Sequence, residues 1–270
     1  MKYFQHLKLV LLSIVGVLSF SGLVQGHTFT PNEDSLFLSL MDDLKSVILS
    51  IRANGDNVTL ITEYANDASL LLNSSTMKEI NETNQRLGTT LLSSIMNLRN
   101  GNGGIGEHEA IMIKDTIDEI ISARIDKSDL ENATIQSLAI SLDLNKIIEY
   151  YSKAYDTTSS KMNMSEHSVM KELHSQNSSS TSNSTSSHSN NKINDIRSYY
   201  RGLNLANVTT ERFNTEVKEF LNPKDIEILN TAFIDLRTRL SEKSTINDIN
   251  GIIHGQIQPT LQRIFKLVLE

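Results

Sequence analysis

Apolar residues recur at helical spacing through most of this chain. In the first such stretch, Asp34 to Ala53, they form a single stripe, and Asn54-Gly55 follows it with residues that tolerate the left-handed backbone of a helix C-terminus. Asp42 and Asp43 fall outside the stripe and are predicted to be solvated. The stripe consists of Leu36, Leu40, Leu44, Val47, Ile48 and Ile51.

Four further helices are predicted before residue 157. They cover 58–72, a stretch that starts near Ser75, 107–125, and a stretch for which Ser128 and Glu131 form a capping box. Asn84 interrupts the near-heptad pattern of the third helix. It is interpreted as a buried amide bonded to a neighbouring helix, as a local packing gap, or as a residue that sets the helix register.

The helical pattern stops near Thr157. Residues 175–190 are uncharged polar residues or His, and nine of these sixteen are Ser. Such a stretch buries too little apolar area to offset the entropy of ordering, so a flexible linker is predicted. Helical spacing resumes near Lys192. Asn222-Pro223 begins a helix, and glycines and a proline interrupt the last segment, Ile246 to Leu269, which is therefore either two helices or one kinked helix.

These patterns predict an all-α protein, an amphipathic helical bundle with a second, smaller helical part. The predicted divisions are a leader at 1–26, the N-terminal bundle at 27–157, a Ser/Thr/Asn-rich linker at 158–191 and a C-terminal helical region at 192–270. The chain has no cysteine, which excludes disulfides, thiolate catalysis and zinc–thiolate sites.

The first 26 residues have the layout of a secretory signal peptide. Lys2 and Lys8 precede an apolar run, Leu9 to Phe20, and Val24 and Gly26 occupy the −3 and −1 positions of a cleavage site before His27. The run is shorter than the roughly 20 residues of a membrane-spanning helix, so a membrane anchor is the less favoured alternative. A secreted or extracellular protein, possibly of the cell wall, is predicted.

The charge and the glycosylation motifs fit this location. Removal of Lys2 and Lys8 with the leader changes the formal net charge from −7 to −9, which disfavours nucleic acid and anionic membranes as partners. An exported chain is glycosylated at exposed Asn-x-Ser/Thr motifs in eukaryotes. Eight asparagines are candidate sites: Asn57, Asn73, Asn81, Asn132, Asn163, Asn177, Asn183 and Asn207.

The chemical motifs point to no catalytic, cofactor or metal site. Residues 101–106 match the glycine spacing of a dinucleotide-binding loop, but a helix precedes them, and Glu107 and Glu109 would repel a phosphate. His108 and the linker histidines His167, His174 and His188 lack the firm spacing of zinc ligands. No nucleophile elbow or isolated carboxylate pair is recognised, so the chain is predicted not to be an enzyme.

One resemblance to a known family is carried by the layout of the N-terminal half. The features are the leader, the Leu36-to-Ile51 helix, Ala65 and Ala68 in the second helix, the run 110–121 and the opening Ser128-Asp129-Leu130. In these, Leu36 to Tyr155 resembles the fungal hydrophobic-surface-binding protein A family, which includes cell-wall galactomannoproteins. The chain departs from it at 124–128, where a Lys-rich, Phe-containing step is expected. The resemblance implies a helical wall or secreted protein that adsorbs to hydrophobic surfaces, with no catalytic residues to transfer.

The predicted function is therefore non-catalytic binding of hydrophobic surfaces or apolar partners by amphipathic helices. The predicted partner is a hydrophobic surface, a lipid or a cell-wall component. The first helix and the terminal segment are the favoured binding faces, because their apolar stripes are the widest. One alternative is an extracellular carrier that holds a small lipid-like ligand between helices. A secreted enzyme of unrecognised type is the third hypothesis.

Overall fold

The computed structural model of the chain describes residues 31–100, 107–155 and 192–267. These residues are almost entirely helical and none of them forms a strand, so the all-α prediction is confirmed. The helices are α1 Glu33–Ala53, α2 Val58–Leu71, α3 Ser74–Arg99, α4 Glu107–Arg124, the single turn α5 Lys127–Leu130, α6 Ala133–Ala154, α7 Ile196–Arg212, α8 Pro223–Ser241, α9 Ile246–Ile252 and α10 Gln258–Phe265.

The first four helices form a four-helix bundle. α1 packs against α2 and α4, and α3 packs against the same two helices from the opposite corner. Their apolar stripes supply one core, in which Leu44, Ile61, Leu91 and Ile117 are almost completely buried. The burial of these stripes is the main force that holds helices of such ordinary propensity in place.

A second bundle is built from α6, α7, α8 and the broken terminal helix α9–α10. α7 packs on α6 and α8, while α9 and α10 close the bundle against α6, and α9 also meets α8. Phe213 and Phe233 stack at its centre with ring centroids 4.9 Å apart. Phe213 begins a π-helical turn, Phe213–Val217, that follows α7, and a second π-helical turn, Ile253–Ile257, joins α9 to α10. The terminal segment is thus interrupted, as its glycines and proline predicted.

Helix α1 joins the two bundles, because it also packs along α6 and α7. Through this contact, the helices after residue 192 dock on the first bundle, an arrangement that the sequence did not predict. Fourteen of the 21 residues of α1 are buried. Small residues are buried in these helices, among them Ser46 and Ser50 on α1 and Ala206 on α7, and Gly202 of α7 lies against the backbone of α6.

The capping box predicted at Ser128 and Glu131 is wrong. Those residues lie in or beside the single turn α5, and α6 begins later, with Asn132 as its N-cap. The Asn132 Oδ1 accepts the backbone N–H of Thr134 at 2.9 Å. Asparagine and serine are comparably strong N-cap residues, so a serine four positions earlier does not by itself fix the start of the helix.

Asn84 marks a kink in α3. Its backbone leaves the helical region (φ −154°, ψ 95°), and its Oδ1 accepts the N–H of Leu87 at 3.2 Å. The side chain therefore caps the second half of α3 from inside the helix. This local role explains the interruption in the apolar pattern without a hydrogen bond to a neighbouring helix.

The predicted leader at 1–26 and the predicted linker at 158–191 lie entirely outside the described residues, as does at least one side of each predicted domain boundary. These divisions stay predictions. Over residues 31–100, 107–155 and 192–267, no helix combines the length and the apolarity needed to cross a bilayer.

Candidate functional site

Four large apolar side chains are exposed near the connection between α3 and α4. Met96 lies in the last turn of α3 and Leu92 one turn earlier, while Ile111 and Met112 lie in the second turn of α4. Their exposed fractions are 42%, 38%, 46% and 56% in that order. α3 and α4 pack against each other, and all four residues lie within the two helical turns nearest the connection between them. We call them the hairpin tip.

The two binding faces favoured from the sequence are not available in the folded protein. The apolar stripe of α1 is buried in the first core, apart from Leu36 at its start and the half-buried Leu40. In the terminal segment, Ile249, Ile253 and Ile257 are completely buried in the second core. Wide stripes are present in both places because each helix has partners on more than one side, so their width reflects core packing.

Asp42 and Asp43 are buried, which makes the prediction of solvated carboxylates wrong. Asp42 is 1% exposed and binds both Nε and Nη2 of Arg212. The third guanidinium nitrogen of Arg212 donates to Gln136 Oε1. Burial alone would raise the pKa of Asp42, but the charge of Arg212 and its hydrogen bonds hold the pKa below its usual value. A fully paired, bidentate arrangement is what permits a charge to be buried.

Asp143 on α6 lies beside Asp42 and is completely buried. Ser39 Oγ donates to its Oδ1 at 2.6 Å, and Thr209 approaches its other oxygen at 3.4 Å. Burial is the largest cause that raises the pKa of Asp143 well above its usual value, and the negative charge of Asp42 is the second. The opposite directions of these pKa shifts favour a pair that carries one negative charge, with the charge on Asp42.

Asp43 anchors a second buried cluster between α1, α6 and α7. Arg201 Nη2 donates to its Oδ1 at 2.9 Å, and the Tyr150 hydroxyl donates to its Oδ2 at 2.7 Å. The guanidinium of Arg201 also lies over the Tyr150 ring, 4.2 Å from its centroid. We refer to these two clusters, the Asp42–Asp143 pair with its partners and the Asp43 cluster, as the buried seam, since they occupy the contact between the two bundles.

A cleft of about 320 Å³ opens beside the seam, between α1, α4, α6 and α7. Two lysines line it, and each is paired: Lys45 with Asp118 at 2.5 Å and Lys114 with Glu211 at 3.0 Å. Arg212, the third cation of its wall, is paired with Asp42. Every cation of the walls is therefore paired, and the only lining acid without an ion pair among the described residues is Glu216, so the cleft has no free positive charge to attract an anion.

The seam could have been recognised from small and hydroxyl-bearing residues on three helices. α1 carries Ser39, Ser46 and Ser50 opposite its apolar stripe, whereas a solvated helix face is usually rich in Lys and Glu. α6 and α7 carry similar residues at helical spacing: Ser137, Ser141, Gly202, Ala206, Thr209 and Thr210. Such faces indicate close packing of helix on helix.

Five of the eight predicted glycosylation sites lie in the described residues. Asn57, Asn73, Asn81 and Asn132 are exposed, and Asn207 is half-buried. Asn57, Asn73 and Asn132 are N-caps whose Oδ1 accepts backbone N–H groups, which leaves the nitrogen that carries a glycan directed elsewhere. The remaining three sites, Asn163, Asn177 and Asn183, lie outside the described residues.

The other sequence motifs add no site. The glycine loop 101–106 and the histidines His167, His174 and His188 lie outside the described residues, and so does the side chain of His108. Within the described ranges, no group of three or more His, Cys, Asp or Glu side chains is arranged to hold a metal ion.

Comparison of the chain with protein-family models, with curated proteins and with solved structures returns no match. The family resemblance of residues 36–155 therefore stays a prediction.

Proposed function

We propose that this protein is exported and N-glycosylated, and that it binds hydrophobic surfaces or apolar partners without catalysis, through the hairpin tip. The observation that carries the proposal is the exposure of four large apolar side chains at one end of a packed hairpin. Exposed apolar patches on folded proteins mark interaction sites. The leader-like first 26 residues and the eight sequons support an extracellular or cell-wall location.

The hairpin tip has enough apolar surface for useful binding. Complete burial of a Met, Leu or Ile side chain contributes about 1.5–3 kcal/mol, and these four are roughly half exposed, so each offers about 1 kcal/mol on contact. Four such contacts give about 4 kcal/mol, or roughly a thousandfold in affinity. Met96 and Met112 also suit irregular surfaces, because the methionine side chain is flexible and polarisable.

The non-catalytic part of the proposal rests on the burial of the seam. Asp42 and Asp143 form the kind of carboxyl pair that acid–base catalysis uses, but they are 1% and 0% exposed. Asp143 is completely enclosed, and Asp42, which borders the neighbouring cleft, has both carboxylate oxygens bound by Arg212, so neither group is free to act on a substrate. The neighbouring cleft is lined mainly by charged and polar side chains, so it does not favour the alternative of a carrier for an apolar ligand.

The test is adsorption of the exported protein to an alkyl-coated bead over a range of protein concentrations. The tip variant carries Met96→Gln and Met112→Gln, which keep side-chain length and helix propensity. The control variant carries Leu70→Gln and Phe220→Gln, which are 74% and 50% exposed and lie elsewhere. The control therefore removes more exposed apolar area than the tip variant.

We expect the tip variant to bind about thirtyfold more weakly than wild type, from the loss of about 2 kcal/mol of apolar burial. The control variant should bind like wild type. If the control loses as much affinity as the tip variant, binding follows total apolar area and the tip is not the site. If neither wild type nor variants are retained, surface binding itself is rejected.

A further inference from the structure

A groove between α7 and α8 brings a predicted glycosylation site together with exposed apolar surface. The groove has a volume of about 330 Å³, at the lower end of the roughly 300–1,000 Å³ typical of small-molecule sites. Leu203 and Asn207 line it from α7, and they are four residues apart and so share a helix face. From α8 it is lined by Ile234, Arg237, Thr238 and Ser241.

The lining of this α7–α8 groove matches the chemistry of a sugar ring. Ile234, 63% exposed, and the half-buried Leu203 offer an apolar floor to the C–H face of a pyranose. The hydroxyls of Thr238 and Ser241 donate to backbone carbonyls at 2.9 and 2.7 Å, so their oxygens remain acceptors. Arg237 is exposed and has no ion-pair partner among the described residues, so its guanidinium can donate hydrogen bonds to sugar oxygens.

Asn207, which lines this groove, differs in burial and hydrogen bonding from the sequon asparagines that cap helices. It is half-buried within α7, and its side-chain amide makes no hydrogen bond to another described residue. Asn57, Asn73 and Asn132, in contrast, are exposed and use their amide oxygens to cap helices. Its amide therefore still reaches solvent, where a glycan can be attached, and it lies beside the apolar side chains that the first sugars would contact.

We propose that the glycan attached to Asn207 lies in the α7–α8 groove and covers Leu203 and Ile234. In the attachment, the Nδ2 of Asn207 forms a bond to C1 of the first sugar of an oligosaccharide carried on a polyprenyl diphosphate. The bond from C1 to the diphosphate oxygen breaks, and the diphosphate leaves as one amide proton is released. The inference rests on the export and N-glycosylation in the proposed function, and it assigns a structural role to one of the predicted sites.

The test compares two sites on the same molecule, the full chain secreted by an N-glycosylating eukaryotic host. Asn81 is the matched control, because it also lies inside a helix and precedes a threonine by two positions, yet is exposed. An amidase that cleaves the sugar–asparagine bond is added to the native protein, and release at each site is followed by glycopeptide mass spectrometry. The same measurement on denatured protein gives the intrinsic rates.

In the native protein, we expect release at Asn207 to be roughly tenfold slower than at Asn81, because the glycan must first leave the groove. After denaturation the two rates should agree. Ile234→Ser, which removes the exposed part of the apolar floor, should speed native release at Asn207 and leave Asn81 unchanged.

Equal native rates at the two sites would overturn the inference, and so would an unmodified Asn207 on a chain glycosylated elsewhere. Both results leave the proposed export and glycosylation intact. A secreted chain with no glycan at any sequon would reject both this inference and the glycosylation in the proposed function.

Discussion

The same substitution at two adjacent buried carboxyl groups should have opposite effects on stability. Asp42→Asn leaves Arg212, itself 8% exposed, without a countercharge, and the loss of one partner of a buried ion pair costs about 3–5 kcal/mol. We expect the lower end, about 3 kcal/mol, because Asp143 lies close enough to ionise and take over part of the role. Asp143→Asn instead replaces a protonated acid with a neutral group of the same shape, so it should raise the free energy of unfolding.

The double variant gives the sharpest result. In the Asp42→Asn background, Asp143 carries the charge that faces Arg212, so Asp143→Asn now removes the last buried anion of that cluster. Its effect should change sign, from stabilising to destabilising, and the double variant should lose about 5 kcal/mol. Chemical denaturation of the three variants and wild type at pH 7, followed by circular dichroism, measures all four free energies.

The pH dependence follows from the directions of the two pKa shifts. The pKa of Asp143 is raised in the folded protein, so its ionisation opposes folding above the ordinary aspartate value of about 3.9. The gain from Asp143→Asn should therefore shrink as pH falls toward 3.9. The pKa of Asp42 is lowered in the folded protein, so its contribution to stability is present above the ordinary aspartate pKa and is lost in acid. If both single variants destabilise at pH 7, the assignment of one shared negative charge is wrong.

Three further predictions concern hydrogen bonds, caps and glycine, each measured as a change in the free energy of unfolding. Tyr150→Phe should lower the free energy of unfolding by about 1.5–3 kcal/mol, because the Tyr150 hydroxyl donates to a buried carboxylate. Tyr64→Phe should be neutral or stabilising, because the buried Tyr64 hydroxyl has no hydrogen-bond partner among the described residues. Equal losses would refute this. Asn132→Ala should cost about 1 kcal/mol and Ser128→Ala almost nothing, the reverse of what a capping box at Ser128 requires. Gly251→Ala should stabilise by about 0.5–1 kcal/mol, since nothing lies within 4 Å of the added methyl group; a loss would indicate strain in α9.

Local patterns in the sequence were sufficient for the fold class and for several helix ends. Asn54 ends α1 and Asn222-Pro223 begins α8, as predicted, because capping depends on residues adjacent in the chain. The kink at Asn84 was only partly foreseen, since its side chain bonds to its own helix.

The buried seam was not predictable by the same means. The partner of Asp42 is Arg212, 170 residues away, and a carboxylate on a polar helix face has the same local pattern whether it meets water or an arginine. The hairpin tip was missed for a related reason. Helical spacing places Ile113 inward with Ala110 and Ile117, as the structure has it. Spacing within one helix does not reveal, however, that the exposed Ile111 and Met112 lie near the exposed end of α3.

Hydrogen exchange of the protein while it is bound to an alkyl surface tests the central claim most directly. We expect slower exchange than in solution at the end of α3 and the start of α4, around Met96 and Met112, with the seam helices α1, α6 and α7 unchanged. Protection confined to the tip means that a folded protein binds by that end. Faster exchange throughout α1, α6 and α7, or unchanged exchange at the tip, would contradict the account, because the protein would then adsorb by unfolding or through another surface.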